Sequence, residues 1–422
     1  MHGTKQKNCT SDQRAHRAAG VDGSISELFR DHGESYMKLF KPPIQHIKFI
    51  RSVRVCKSPA LGGRAIVCNA CGHHHKIYLS CGNSQCPLCQ SIKRLQWQDR
   101  LANKMFNVPY SHIIFTVPRE LHRIARKNKR VFYSIILQAA WACTKKVCAE
   151  QDNLNGVPGM IAVLHTFGSD MKYHLHVHTL VTFGGVGQKG WLWPKRKKWI
   201  APFRAMSRHW REQFLQHMSI AIRKNKMHPT DDHEQVLEQI KDKRWTVRQV
   251  PPTMQVERIQ EYLSRYINRI AISKSRLSYN SKINKVDILY NDYRNQENDK
   301  PAPKATKSLA PLLAIQQILQ HLLPPYFEKV RYYGLHAHNT FKSIGHLVPD
   351  KLKNDGKTIK TLFSILKQLL QKQPYQCELC ASNDFKIINV RKDPSWIFKF
   401  ITLPAMRGPP KTSTYHFIAK IK

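Results

Sequence analysis

The sequence predicts an α+β protein in which an antiparallel sheet flanked by helices follows an N-terminal zinc ribbon and precedes a helical C-terminal part. Three observations carry this expectation. Short apolar runs with strand composition are mixed with stretches of helical periodicity between about residues 106 and 290. Two of those runs, "MIAVLHTF" and "HLHVHTLVTF", are joined by the short link "GSDMKY", which suits a hairpin. Most of the cysteines gather in one block, from Cys56 to Cys89.

The elements follow in order. Residues 1–25 are polar and read as a flexible N-terminus. Leu28, Phe29, Leu39, Ile44, Ile47 and Ile50 give residues 26–55 helical periodicity, and with the cysteine block and a basic helix-like stretch from Gln90 to about Met105 they form a first unit, 26–105. A second unit, 106–290, opens with the strand "YSHIIFTVP" and the buried helix "VFYSIILQAAWACTKKV". The hairpin comes next, its second strand ended by Gly184 and Gly185, and then the basic aromatic loop "WLWPKRKKWIAPFR". A helix over 202–223, the strand "WTVRQVPP" and the amphipathic helix "QVERIQEYLSRYINRIAIS" complete the unit. Residues 291–308 are polar and rich in Pro and Lys, hence a loop or linker, and 309–422 form a C-terminal helical region.

Composition narrows the function. The 422 residues are 41% apolar, enough for a sizeable core, and 69 Lys and Arg against 28 Asp and Glu give a net charge of +41. Such a field repels itself unless a polyanion neutralises it, and nucleic acid is the usual partner. An anionic membrane surface would call for a basic amphipathic helix or a lipid anchor, and neither stands out. No apolar stretch reaches bilayer length and the first 25 residues lack a signal-peptide core, so the expected compartment is the cytosol. There the eleven cysteines are read as metal ligands or plain thiols before disulfides.

The block "CNACGHHHKIYLSCGNSQCPLC" sets Cys68-x2-Cys71 fourteen residues ahead of Cys86-x2-Cys89. Two such knuckles place four thiolates around one structural Zn2+, with Cys56 and Cys81 available to compete or to build a second site. Lys93 and Arg94, just behind the second knuckle, are candidate DNA contacts. A further CxxC, Cys377 and Cys380, has no partners nearby in sequence and stays unassigned.

In "KYHLHVHTLVTFGG", His174, His176 and His178 share one face of a strand while Leu175, Val177 and Thr179 take the other. Neutral imidazole is a borderline ligand for zinc, manganese and related ions, and three of them on a buried strand suit a divalent cation better than an apolar core. His165, on the preceding strand of the hairpin, is a candidate further ligand. Downstream, Tyr262 and Tyr266 are neighbours at i and i+4 beside the stripe Ile259, Leu263, Ile267 and Ile270.

Together with "CKSPALGG", "VLHTFG", "DYR" and "LPPYFEKVRYYGL", these motifs resemble, in order from about Cys56 to His338, the two-tyrosine HUH transposases of the ninety-one type of bacterial insertion sequence. The resemblance implies a rolling-circle route on single-stranded DNA at element ends and target. It implies that His176 and His178 are the metal-binding pair, with His165 or His174 as a further ligand, and that Mg2+ or Mn2+ is the catalytic ion. Tyr262 and Tyr266 are then the nucleophiles, 106–290 the catalytic domain, and the first CxxC block the family's zinc domain in a bacterial, nucleoid-associated protein. Lys195, Arg196, Lys197, Lys198, Arg265 and Arg269 are candidate DNA contacts. Three departures stand out: Leu175 where proline is common, Asn268 where many members carry histidine, and "GNSQCPLC" in place of a more basic knuckle. A plasmid replication initiator or relaxase would use the same chemistry, and a non-catalytic zinc-ribbon protein would explain charge and cysteines without the tyrosine pair.

Overall fold

The computed structural model describes residues 25–228, 230, 232–254, 272, 276–297, 300–354, 364 and 376–396. Two antiparallel helices open the described chain, α1 (Ile25–Phe40) and α2 (Ile44–Val55). The hairpin β1 (Gly63–Cys68) and β2 (His74–Tyr78) follows, then α3 (Ser91–Ala102). The central layer contains β3 (Tyr110–Thr116), α4 (His122–Lys127), α5 (Lys129–Ala149), β4 (Val157–Phe167), β5 (Tyr173–Val186) and the short β6 (Trp191–Leu192). It continues through α6 (Phe203–Arg223), α7 (His233–Lys241) and β7 (Val247–Thr253). Beyond the tyrosine segment lie β8 (Leu277–Asn280), β9 (Lys285–Asn291), β10 (Lys304–Leu309), α8 (Pro311–Leu319), β11 (Val330–Gly334), α9 (His338–Ile344) and β12 (Phe385–Val390).

Among the described residues all strand pairs are antiparallel, and the mixed class of helices and antiparallel sheet expected from the sequence is the one found. The main sheet runs β11-β4-β5-β3-β7, with β6 paired to the end of β5. Alternation along β5 explains its two faces. Leu175, Val177 and Val181 join a core with Phe132, Ile136, Trp210 and Phe214 from α5 and α6, so that face is sealed by helices. The other face carries the histidines and, farther along, Ile161, Val163 and Leu180, which pack with Leu101, Leu335 and Val348. No helix among the described residues is long and apolar enough to cross a membrane.

Three sequence expectations change. Gly184 and Gly185 lie inside β5 rather than ending it: a Cβ on Gly184 would meet the Trp191 ring at 2.6 Å, and one on Gly185 the Val157 carbonyl oxygen at 2.5 Å. The stretch read as a loop, 291–308, ends in β10, which is held by β9. The region read as helical, 309–422, contributes two strands among its described residues, β11 to the edge of the main sheet and β12 to the side of β1. Both find their partners far away in sequence, which local periodicity does not reveal.

Candidate functional site

The hairpin β4–β5 brings His165 directly opposite His176, with Val163 opposite His178. His165, His176 and His178 therefore converge, and one ring nitrogen from each lies within 4.8 Å of the others. All three are buried, at 3%, 9% and 3% exposure. Burial favours the neutral ring: it pulls the pKa of His176 down to about 3 and holds those of His165 and His178 well below the ordinary value, with the neighbouring rings adding to the shift. Neutral imidazoles are the ligating form, so the cluster is in the protonation state that a divalent cation needs at neutral pH.

Hydrogen bonds define which nitrogens face the cluster. His176 Nδ1 lies 3.2 Å from the carbonyl oxygen of His174, and donating to it leaves Nε2 for a metal. His178 Nδ1 lies 2.8 Å from Nε2 of His112 on β3, so a His178 ligating through Nε2 donates its Nδ1–H to His112. His112 is itself kept neutral, near a pKa of about 4, by burial and then by the charge of Arg248. His174 stands outside the group of three and enters through its backbone carbonyl. His112 was missed by sequence reasoning; its only signal was alternation in "YSHIIF", which does not reveal a partner 66 positions away.

Among the described residues, eight cysteines gather in two groups: Cys56, Cys81, Cys86 and Cys89, and Cys68, Cys71, Cys377 and Cys380. The expectation of one site built from both N-terminal knuckles is thus corrected. The Cys68–Cys71 knuckle sits at the β1–β2 turn, whereas Cys56 and Cys81 flank the opposite end of that hairpin, and five to six residues of strand hold the two ends about 17 Å apart. Sγ separations of 3.7 Å for Cys56–Cys86 and 3.8 Å for Cys81–Cys89 match the edge of a tetrahedron with Zn–S bonds of about 2.3 Å. The Leu88 amide donates to Cys86 Sγ at 3.4 Å, as a chelating turn requires. Hydrogen bonding with Cys56 pushes the Cys89 thiol down and the Cys86 thiol up, so the four sulfurs do not ionise together without a cation.

Of the candidate DNA contacts, Lys93 and the run Lys195, Arg196, Lys197 and Lys198 are exposed, and Arg94 is half-buried. Tyr262, Tyr266, Arg265 and Arg269 lie outside the described residues.

The metal-suited cysteines of the N-terminal part agree with what known families show. The family described as "Transposase zinc-binding domain" matches residues 28–117, and the family described as "Putative transposase" matches residues 159–343. The "Putative transposase y4qJ" of Sinorhizobium fredii (strain NBRC 101917 / NGR234) is 30% identical over 327 residues, which is 74% of this chain and 79% of that protein. The "Transposase for insertion sequence element IS801" of Pseudomonas savastanoi pv. phaseolicola is 24% identical over 352 residues, 80% of this chain and 82% of its own length. No solved structure matches. Fold, cysteines and matches define the class, a transposase with an N-terminal zinc-binding domain. The chain belongs to the transposase family of the ninety-one type of bacterial insertion sequence.

Proposed function

We propose that this transposase nicks and joins single-stranded DNA through 5'-phosphotyrosine intermediates, by a rolling-circle route, with Tyr262 and Tyr266 as nucleophiles and a divalent cation such as Mg2+ or Mn2+ held by His165, His176 and His178. The observation that carries this reading is the buried, neutral histidine trio on β4 and β5. A divalent cation bound there withdraws charge from a scissile phosphate and orients it.

The chain's own groups do the rest. A phenol has an ordinary pKa of about 10 and is a weak nucleophile at neutral pH, so its attack needs a polarised phosphodiester. The tyrosine oxygen bonds to phosphorus, the 3'-oxygen of the adjoining nucleotide leaves and takes up a proton, and the phenolic proton is released. A free 3'-hydroxyl later attacks the same phosphorus and expels the tyrosine, so no nucleotide cofactor is consumed. Chain geometry supports placing the tyrosines here. The described chain leaves the sheet at Met254, after β7, which pairs with β3 beside β5, and is described again at Ile272. Ile272 belongs to the apolar cluster that includes Phe167, two residues beyond His165. The described residues nearest the tyrosines in sequence, Met254 just after β7 and Ile272 in that cluster, support this reading. Two nucleophiles at i and i+4 allow one to hold a cleaved donor while the other attacks again.

Incubating the protein with single-stranded element ends and Mn2+ tests this directly. The expected result is a covalent protein–DNA adduct that maps to Tyr262 or Tyr266, is abolished in the Y262F/Y266F double variant, and is lost in His176→Ala with DNA binding retained. An adduct at Tyr279 or Tyr290, or undiminished cleavage by the double variant, overturns the assignment.

A further inference from the structure

We propose that Cys68, Cys71, Cys377 and Cys380 form a second tetrathiolate zinc site, which fastens residues 376–396 to the N-terminal sheet and makes that segment part of the zinc-binding domain. The Sγ atoms pair at 3.6 Å for Cys68–Cys380 and 3.6 Å for Cys71–Cys377, near the edge of the same sulfur tetrahedron. Both knuckles have the same build. The Gly72 amide donates to the Cys68 carbonyl at 2.9 Å and the Ala381 amide to the Cys377 carbonyl at 2.9 Å, with Gly72 at φ +70° and Ala381 at φ +57° just past the second cysteine of each. A non-glycine residue in the left-handed region is uncommon, and at Ala381 it completes the turn that aims two sulfurs at one point. Two disulfides would need each pair to close to about 2.05 Å and would leave these turns without a purpose.

The rest of the segment shows why a cross-link is needed. β12 pairs with β1 through six residue pairs, from Gly63 with Val390 to Cys68 with Phe385. The Asn69 amide and side chain both donate to Asp384, at 3.0 and 2.7 Å, and Asp393 N donates to the Pro59 carbonyl at 2.9 Å. Yet the strand buries little: Ile387 is 59% and Ile388 45% exposed. An edge strand with so little apolar burial has a small reserve against fraying. Cys68 and Cys380 are 312 positions apart, so the site forms only when the fold has closed, and metal binding then contributes its free energy to that closure. Neither matched family segment, 28–117 or 159–343, reaches Cys377 or Cys380.

The test reads individual cysteines and is independent of DNA cleavage and of the histidine trio. Under reductant, Cys71 and Cys380, both exposed, should be alkylated about tenfold or more slowly in the zinc-loaded full chain than after chelation. In the Cys377→Ser, Cys380→Ser double variant, cobalt substitution should yield about half the thiolate-to-metal charge-transfer absorbance of wild type, and amide exchange over residues 385–390 should rise about tenfold or more. Equal alkylation of Cys71 and Cys380 with and without zinc overturns the site. Unchanged exchange over 385–390 overturns its role as a fastener.

Discussion

The contact of His112 with His178 shows at residue scale how the site is tuned. A ligating histidine that donates its second ring nitrogen is fixed in tautomer and orientation, and His112 Nε2 at 2.8 Å is in place to accept that proton. His112→Ala should weaken Mn2+ binding by about 10- to 100-fold, measured by calorimetry, with the fold kept. His112→Gln, whose amide oxygen can accept the same hydrogen bond, should recover part of the loss. Equal affinity in wild type and the alanine variant would remove His112 from the site. His176 and His178 were legible in sequence because strand alternation puts them on one face, and His165 because the hairpin link was short. His112 was not, since the register that sets β3 beside β5 is made by pairing across 66 positions. The cysteines teach the same lesson: spacing showed that metal ligands are present, and the length of the β1–β2 hairpin decided which of them meet.

At the scale of elements, the end of the β4–β5 hairpin that carries His165 and His176 is latched by parts of the chain, 291–308 and 320–321, whose partners local periodicity does not reveal. Met171 turns the link with φ +64°, and its carbonyl accepts from His321 Nε2 at 3.0 Å and Gln320 Nε2 at 3.2 Å. Thr166, next to His165, lies 3.2 Å from His321 Nδ1. Ser169 donates to the Asn291 carbonyl and Lys307 to that of Asp170, so the small β8–β10 sheet grips the same turn. His321 must be neutral for one nitrogen to donate while the other accepts, and burial lowers its pKa to about 4; burial likewise lowers that of His336 to about 3. The unfolded chain titrates near 6.5, so between 6.5 and about 4 it binds more protons than the native state. Stability contributed by these rings is thus fully present above pH 6.5 and falls as pH drops, by up to about 1.4 kcal/mol per pH unit for each buried histidine. Thermal midpoints should fall steadily from pH 7 to pH 4.5, and His321→Gln should flatten the slope. A midpoint constant across that range would contradict the neutral, buried assignment.

Across the whole molecule, the site's placement and the net charge of +41 work together. β5 carries His176 and His178 toward one end, and its other end pairs with β6, so Gly185 meets Leu192 and Val186 meets Trp191. The 52%-exposed Trp193 and the exposed run Lys195 to Lys198 therefore follow directly on the strand that is paired to the end of β5. Lys and Arg contacts release counterions from a single strand, and each contributes about −0.7 to the slope of log K against log salt. Replacing Lys195, Arg196, Lys197 and Lys198 by Ala should therefore weaken binding of single-stranded DNA and reduce the magnitude of that slope by about 3. Trp193→Ala should weaken binding at every salt concentration, because stacking on a base does not depend on counterions. Neither change touches the histidine trio, so at saturating DNA both variants should form covalent adduct as fast as wild type. Fluorescence anisotropy over a salt series reads the first two effects and a gel assay of adduct the third. An unchanged salt slope in the quadruple variant would place the DNA path elsewhere on the surface, and slowed adduct formation at saturation would mean that the loop orients the strand at the site as well as holding it.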